Sequence, residues 1–161
     1  MTHGGSSIRE VQQLLSVLAA GRRVAEAGTA FGEGAEAMAR TARSVVTVEL
    51  DPKRAGIAAK RLGPCTNVEL LVGDWRELLP PRGAFELVFL DGGGFKHAPE
   101  ESSDLVFHLL EPGGLLVLDD MTPGRVEFDP VRAWAHGHSG LRAVEVLTTA
   151  STSALLIARL S

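Results

Sequence analysis

The sequence predicts a single doubly wound α/β domain over residues 1–161, with a mostly parallel seven-stranded sheet and helices on both faces. Short apolar runs alternate with segments of helical periodicity along most of the chain, which is the order that repeated βα units produce. The last two apolar runs depart from that order, because the turn around Ala150 and Ser151 is too short to hold a crossover helix. We therefore expect an antiparallel hairpin at the C-terminal end.

Glycine, proline or charged residues bound each element of the first half. An amphipathic helix over 6–19 carries apolar side chains at spacings of three and four, and Ser6 or Ser7 is expected to cap it. Three apolar runs predict strands at 23–26, 44–49 and 68–72. The helices expected after these strands cover 35–42, 52–62 and 75–79.

The second half continues this alternation before it changes character. Strands are predicted at 85–90 and 114–118, and helices at 99–110 and 130–136. The final runs, 141–148 and 152–160, predict the hairpin, which ends the sheet with one antiparallel strand.

Composition argues against several classes of protein. The net charge of −4 is uneven, with nine Lys and Arg against six Asp and Glu in residues 1–63, and seven against fourteen in residues 64–161. The acidic half holds the candidate chemistry, which argues against a nucleic-acid partner because phosphate contacts need clustered Lys and Arg. The chain has one cysteine, Cys65, and no apolar run near the roughly 20 residues of a membrane span. We expect a cytoplasmic protein with no membrane partner.

A glycine-rich turn connects the first strand to its helix. Gly28 and Gly32 lie in it with Ala30 between them, and such glycines let a nucleotide approach the backbone closely. A dinucleotide site would have a third glycine where Glu33 stands, and an acid there would repel a pyrophosphate. The turn therefore favours a ligand without phosphate and with a cationic group, such as S-adenosylmethionine.

Acidic side chains stand at or near the ends of the first three strands. Glu26 is placed to face a cationic group, Glu49 to accept ribose hydroxyls, and Asp74 to accept an adenine amine. Trp75 could form a wall of the adenine site. The alternative is that these acids only cap helices and that Trp75 is a core residue. Their order and spacing favour the ligand site.

With these motifs, the chain resembles class I S-adenosylmethionine-dependent methyltransferases over nearly its whole length. Residues 26–32 resemble the family's first motif, with Ala30 where a glycine is usual, and residues 48–52 resemble the ribose-binding segment. Residues 73–74 are similar to the adenine segment, and 85–92 to the strand that ends beside the methyl group. The resemblance implies a Rossmann-like fold and S-adenosylmethionine as cofactor. The residues implied to bind it are Glu26, Gly28, Ala30, Gly32, Glu49, Leu50, Asp74, Trp75 and Asp91.

Within that class, residues 109–121 resemble the catechol and caffeoyl-coenzyme A O-methyltransferases, which hold a divalent cation with strand-end acids and an amide. Asp91 and Asp119 match the acids, and Asp120 stands where an Asn is usual. The resemblance implies Mg²⁺ or Mn²⁺ held by these three residues, whose oxygen ligands suit a hard cation. The alternative is that no metal binds and that the acids belong to solvated turns.

The position of the group's usual base, three residues after Asp91, is occupied by Gly94. Lys96 and His97 follow in the same loop and are, with Asp91, the catalytic candidates. Both are equally consistent with a loop surface. Because the loop is rich in glycine, Lys96 is a doubtful partner for the three acids.

These observations predict O-methylation of a small-molecule acceptor, assisted by a divalent cation. The alternatives are a metal-free methyltransferase, an aminopropyl transferase that uses the decarboxylated cofactor, and a non-catalytic S-adenosylmethionine-binding module, which Gly94 favours. Only about one helix precedes the first strand. The site is therefore expected to be open or covered by a second subunit, as in a homodimer.

Overall fold

A computed structural model describes residues 7–92 and 94–161. The helices in this part of the chain are α1 (Arg9–Ala19), α2 (Glu33–Ala39), α3 (Pro52–Leu62), α4 (Trp75–Leu78), α5 (Ser103–Leu109) and α6 (Pro130–Gly137). The strands are β1 (Arg23–Ala27), β2 (Ser44–Glu49), β3 (Val68–Val72), β4 (Phe85–Leu90), β5 (Leu110–Met121), β6 (Leu141–Leu147) and β7 (Ser153–Arg159). None of these helices combines the length and the apolar character needed to cross a membrane.

The seven strands form one sheet in the order β3-β2-β1-β4-β5-β7-β6. Strands β1 to β5 pair in parallel, so their carboxyl ends lie along one edge, and β7 runs antiparallel between β5 and β6. The predicted doubly wound sheet and its antiparallel hairpin are confirmed. In this topology ligands bind outside the carboxyl ends of the strands where the strand order reverses, which here is beside β1 and β4.

Two apolar layers hold helices against the two faces of the sheet. Strand β4 contributes to both, since Leu87 and Phe89 belong to one layer while Val88 and Leu90 belong to the other. The first layer packs against α1, α2 and α3, and the second against α4, α5 and α6. Burial on both faces explains why the central strands have continuous apolar sequences rather than alternating ones.

The N-terminal helix begins later than predicted and without a serine cap. It starts at Arg9 after Ile8, and no side chain caps its first turn, so the Ser7 cap is wrong; Ser6 lies outside the described residues. The Ser7 carbonyl instead accepts a hydrogen bond from the side-chain amide of Gln12 at 2.6 Å. A side chain of the helix itself therefore holds the residues before its first turn.

Strand β5 starts earlier than predicted, at Leu110 rather than Gly114. Leu110 pairs with Phe85 of β4, so the expected helix over 99–110 is reduced to a 3₁₀ turn and α5. A Cβ at Gly114 would lie 2.8 Å from the Glu111 carbonyl oxygen, which explains the glycine where the strand bends. The other boundaries agree with the prediction to within three residues.

Candidate functional site

The glycine-rich turn presses against the end of β4. Gly28 has a φ of 96°, and a Cβ on it would lie 2.9 Å from the backbone nitrogen of Gly92. The N–H groups of Asp91 and Gly92 donate to the Ala27 carbonyl at 2.9 and 3.0 Å. Only glycine fits this approach, because a side chain at position 28 would push the two turns apart. The contact places the turn directly beside Asp91.

Glu49 joins the end of β2 to the same turn. It is 6% exposed, its Oε2 accepts the Ala30 N–H at 2.7 Å, and its Oε1 accepts the Asp51 N–H at 2.9 Å. Ala30 has a φ of 50°, so it adopts a left-handed conformation that favours glycine. A carboxylate has about four lone-pair sites, so these two bonds leave room for two hydroxyl donors. Glu49 thus lies where the sequence predicts and also holds the turn.

Glu26 is buried beneath the turn. It is 1% exposed, and its Oε2 accepts a hydrogen bond from the Thr47 hydroxyl at 2.5 Å. The Thr47 hydroxyl also lies 2.5 Å from the Thr29 hydroxyl. Burial raises the pKa of Glu26 to about 8, although the Thr47 hydrogen bond lowers it. Without a cationic ligand the carboxyl is therefore largely protonated at neutral pH. Sequence reasoning missed Thr47, although a hydroxyl between the valines of a buried strand was a usable signal.

One arginine of α3 holds the end of the turn and the start of α2. Arg61 donates from Nε to the Phe31 carbonyl at 2.9 Å, and its other nitrogens pair with Glu33 at 2.9 Å and Glu36 at 3.0 Å. Gly32 precedes α2 with a φ of 91°, and a Cβ there would lie 3.2 Å from Arg61 Cδ. No local sequence pattern connects α3 with the turn and α2, so these contacts of Arg61 are visible only in the structure.

The remaining predicted cofactor residues differ in exposure. Leu50, directly after Glu49, is 71% exposed. Asp74 caps α4 by accepting the Arg76 N–H at 2.9 Å. Trp75 is 4% exposed and packs in the core, so it offers a ligand no more than an edge. Contacts of these side chains with adenine stay a prediction.

The three predicted metal residues come together at the ends of β4 and β5. Oxygen atoms of Asp91, Asp119 and Asp120 lie within 4.8 Å of one another. Asp119 is 2% exposed, and its Oδ1 has no hydrogen-bond partner in the described part of the chain. Asp120 has a φ of 54° at an irregularity in the β5–β7 pairing, which lets consecutive residues serve one site. An all-oxygen set with a buried orphan atom fits a hard divalent cation.

The carboxyl groups of this cluster perturb one another when no cation is bound. Burial, followed by the charge of Asp91, raises the pKa of Asp119 to about 8. Burial also raises the pKa of Asp91, while the hydrogen bond with Asp119 and the ammonium group of Lys96 lower it. A shared proton or a bound cation would relieve the repulsion between the two carboxylates.

Lys96 turns inward onto the cluster, which corrects the expectation that it is a doubtful partner. Its Nζ donates to the Asp119 backbone carbonyl at 2.9 Å and lies 4.0 Å from Asp91 Oδ1. The adjacent Phe95 is buried and packs edge-on against Trp134 of α6, with 5.2 Å between ring centroids. This anchor on another helix directs the loop, and the loop sequence alone does not reveal it.

His97 lies at the rim of the same cleft, which has a volume of about 230 Å³. The side chain of His97 is exposed, and its backbone N–H donates to the Gly94 carbonyl at 2.9 Å. The cleft is lined by Leu90, Asp91, Gly92, Gly94, Phe95, Lys96, His97 and Asp120. All three candidate catalytic residues therefore share one cleft beside the glycine-rich turn.

A doubly wound sheet with a glycine-rich first turn and acids at successive strand ends defines the class of nucleoside-binding α/β domains. Residues 25–121 match the methyltransferase domain family, and the chain belongs to that family. The match runs from β1 to the end of β5. It therefore includes the turn, Glu49 and all three acids of the cluster.

Two curated relatives align with part of the chain. A protein-L-isoaspartate O-methyltransferase from Bradyrhizobium sp. is 33% identical over 97 residues, which cover 59% of this chain and 43% of the relative. A probable S-adenosylmethionine-dependent methyltransferase from Mycolicibacterium smegmatis is 30% identical over 124 residues, covering 76% of this chain and 46% of the relative. The chain thus spans less than half the length of either relative.

Solved structures that share the fold include an O-methyltransferase and an rRNA methylase. The O-methyltransferase TomG from Streptomyces achromogenes, in complex with S-adenosylmethionine, superposes with a TM-score of 0.79 and 23% identity over 99% of this chain and 83% of that one. Cofactor-bound Rv0187 from MTB superposes with a TM-score of 0.78 and 28% identity, over 97% of this chain and 83% of that one. An rRNA methylase from Streptococcus thermophilus superposes with a TM-score of 0.72 and 18% identity, over 97% of this chain and 100% of that one. The fold is therefore common to methyltransferases with different acceptors.

Proposed function

We propose that this chain transfers a methyl group from S-adenosylmethionine to an oxygen atom of a small-molecule acceptor. The observation that carries the proposal is the position of Asp91, which lies beside the glycine-rich turn and also belongs to the carboxylate cluster. A cofactor on the turn and an acceptor at the cluster would meet there. The names of the isoaspartate relative and of TomG support transfer to oxygen, and the name of the Mycolicibacterium relative supports S-adenosylmethionine as the methyl donor.

The ends of β2 and β3 would hold the nucleoside. Glu49 would accept the two ribose hydroxyls with the lone pairs that its backbone contacts leave free. The exposed Leu50 would cover a face of the adenine, with Asp74 accepting from the adenine amine and the edge of Trp75 behind it. The polar groups in this set are carboxylates, which accept hydrogen bonds, and the remaining contacts are apolar. Such a set suits a ligand without phosphate.

The turn and the end of β4 would hold the methionine part. Gly28, Ala30 and Gly32 keep side chains out of the way and let the backbone approach the ligand. Glu26 below the turn and Asp91 beside it would supply negative charge for the ammonium and sulfonium groups. Binding of a cation nearby would favour the ionised form of Glu26, opposing the effect of burial on its pKa.

Transfer is an in-line displacement. The acceptor oxygen forms a bond to the methyl carbon, the carbon–sulfur bond breaks with its electron pair on sulfur, and S-adenosylhomocysteine leaves. The protein contributes orientation, exclusion of water and removal of the hydroxyl proton. A divalent cation held by Asp91, Asp119 and Asp120 would lower the pKa of a bound hydroxyl and fix its position.

We assign proton removal to His97. The nitrogen of Lys96 donates to the Asp119 carbonyl and faces the Asp91 carboxylate. As an ammonium group it has no lone pair with which to take a proton. A neutral imidazole, in contrast, has a ring nitrogen with a free lone pair, and His97 lines the same cleft at its rim. Asp91 would orient the cofactor and the cation rather than take the proton.

The cleft favours a small acceptor over a nucleic acid. Its volume of about 230 Å³ is at or below the lower end of ordinary ligand sites, which measure about 300–1,000 Å³. Its charged lining contains Asp91 and Asp120 but only Lys96 as a cation. A phosphate backbone needs clustered Lys and Arg, which this lining lacks.

Calorimetry and a transfer assay test the proposal together. S-adenosylhomocysteine should bind, NAD should not, and label from S-adenosylmethionine should reach one or more members of a panel of phenols and catechols with Mg²⁺ or Mn²⁺. EDTA should abolish transfer, and Asp119→Ala should remove the metal response while the domain stays folded. Binding of S-adenosylhomocysteine without any methyl transfer would support the non-catalytic module. Full methyl transfer in the presence of EDTA would support a metal-free enzyme. Aminopropyl transfer from the decarboxylated cofactor would contradict methyl transfer.

The homodimer is likewise a proposal. Light scattering coupled to gel filtration measures the subunit number directly. A monomer at working concentration would leave the cleft open and overturn the second-subunit cover.

A further inference from the structure

Lys96 occupies a defined position over the acidic cluster. Its Nζ donates to the Asp119 backbone carbonyl at 2.9 Å and stands 4.0 Å from Asp91 Oδ1, and its side chain is 22% exposed. The preceding residue, Phe95, is 2% exposed and fixed against Trp134. The backbone of the loop is therefore anchored, and only the aliphatic stem of Lys96 has to move for its ammonium group to leave.

The cluster keeps an unsatisfied site although Lys96 is present. The oxygens of Asp91, Asp119 and Asp120 lie within 4.8 Å of one another, which is close enough for one cation to contact all three. Asp119 is 2% exposed, yet its Oδ1 has no partner among residues 7–92 and 94–161, because Lys96 bonds the backbone oxygen instead. Lys96 thus neutralises part of the charge without filling the site.

We propose that Lys96 is the resident counter-cation of the acidic cluster and competes with a divalent cation for it. With the ammonium group in place, the cluster is partly neutralised and tolerates burial without metal. A divalent cation on the three carboxylates would repel the ammonium group a few ångströms away, so the lysine must swing out when the cation binds. The site therefore alternates between a lysine-paired and a metal-bound state, and Lys96 sets the metal affinity.

This inference rests on the proposed function only for the catalytic role of the cation. The competition between Lys96 and the cation needs neither S-adenosylmethionine nor an acceptor. Metal affinity distinguishes two roles for Lys96, that of a general base and that of a competing cation. If Lys96 were a general base, its loss would lower turnover and leave metal affinity unchanged. If it is the competing cation, its loss tightens metal binding.

Mn²⁺ binding to the protein alone, followed by electron paramagnetic resonance of the free ion, tests the competition. Lys96→Met should bind Mn²⁺ at least about tenfold more tightly than the unaltered protein, since one positive charge near the cluster is gone. Lys96→Arg, which keeps the charge, should stay within a few-fold. Lys60→Met, an exposed site on α3, is the matched control and should bind as the unaltered protein does. Asp119→Asn should abolish binding both in the unaltered protein and in the Lys96→Met variant.

A second measurement does not depend on a substitution at Lys96. Reductive methylation mapped by peptide mass should modify Lys96 faster when Mn²⁺ is bound, because the ammonium group is displaced toward solvent. The rates at the exposed Lys53 and Lys60 should not change. Unchanged or weaker Mn²⁺ binding by Lys96→Met, absence of Mn²⁺ binding in every variant, or an unchanged rate at Lys96 would overturn the inference. Binding of S-adenosylhomocysteine, measured on the same samples, reports separately on the proposed function.

Discussion

The Glu49 carboxylate accepts the backbone N–H of Ala30 at 2.7 Å, and this bond ties the end of β2 to the left-handed residue of the glycine-rich turn. The same carboxylate is proposed to accept the ribose hydroxyls. One side chain would therefore have both a structural and a binding role. Substitutions of different size separate the two.

Replacement of Glu49 should weaken cofactor binding in every case, and the loss of stability should depend on the substitution. Glu49→Ala leaves the N–H groups of Ala30 and Asp51 without their acceptor and should lower the free energy of unfolding by about 1–3 kcal/mol. Glu49→Gln keeps one acceptor oxygen and should lose less stability. Both should weaken S-adenosylhomocysteine binding by about 1–3 kcal/mol in calorimetry. Glu77→Gln, at an exposed site on α4, is the control, and unchanged affinity in Glu49→Ala would refute the ribose contact.

Ala30 should tolerate glycine and reject a branched side chain. Its φ of 50° is strained for any residue with a Cβ. Ala30→Gly removes that strain but raises the entropy of the unfolded chain, so the two effects should cancel to within about 1 kcal/mol. Ala30→Val should destabilise the domain by about 1–3 kcal/mol, because β-branched residues disfavour this conformation strongly. Urea unfolding measures both, and an Ala30→Val variant as stable as the unaltered protein would contradict the left-handed turn.

Glu26 should make the ligand-free protein less stable as the pH rises. Its pKa in the folded state is about 8, whereas 4.5 is the ordinary value for the unfolded chain. Between these values the folded state keeps a proton that the unfolded state has lost, so the free energy of unfolding falls with rising pH. This loss of stability is absent below about pH 4.5 and complete above about pH 8. It lowers the free energy of unfolding by a few kcal/mol, at about 1.4 kcal/mol per pKa unit.

Glu26→Gln removes the ionisable group but keeps an acceptor for the Thr47 hydroxyl. The variant should therefore lose less stability than the unaltered protein between about pH 5 and 8, measured by urea unfolding at several pH values. Some slope should remain, because the pKa of Asp119 is also raised to about 8 and acts in the same direction. Identical pH profiles for the two proteins would show that Glu26 does not titrate as a buried carboxyl.

His97→Ala should lower the rate of methyl transfer and leave cofactor affinity nearly intact. Loss of a general base typically reduces the rate by about 10²–10⁴-fold. The matched control is His136→Ala, since His136 is exposed on α6 and does not line the cleft. Turnover of His97→Ala equal to that of the control would remove His97 from the mechanism, and an acceptor already ionised at the working pH would become the better account.

Sequence reasoning located the elements and the strand-end acids because both depend on short-range signals. Apolar periodicity and turn residues fix where β1 to β5 run, and parallel pairing then brings Glu49, Asp91 and Asp119 to one edge of the sheet. The same reasoning failed at Ser7 and at Leu110. In each case a competing contact, from Gln12 or from Phe85, overrode the local preference.

The sequence by itself therefore determined the doubly wound architecture and the set of residues available for chemistry. Only the tertiary structure decided the charge state and direction of those side chains. Without a cationic ligand Glu26 is largely protonated at neutral pH because the packed sheet and turn bury it, and Lys96 faces the acids because Phe95 is anchored on Trp134 of a distant helix. Burial and contacts between distant elements arise from packing the whole chain. No local pattern encodes them, whereas periodicity and turn chemistry act over a few residues and can be seen in the sequence.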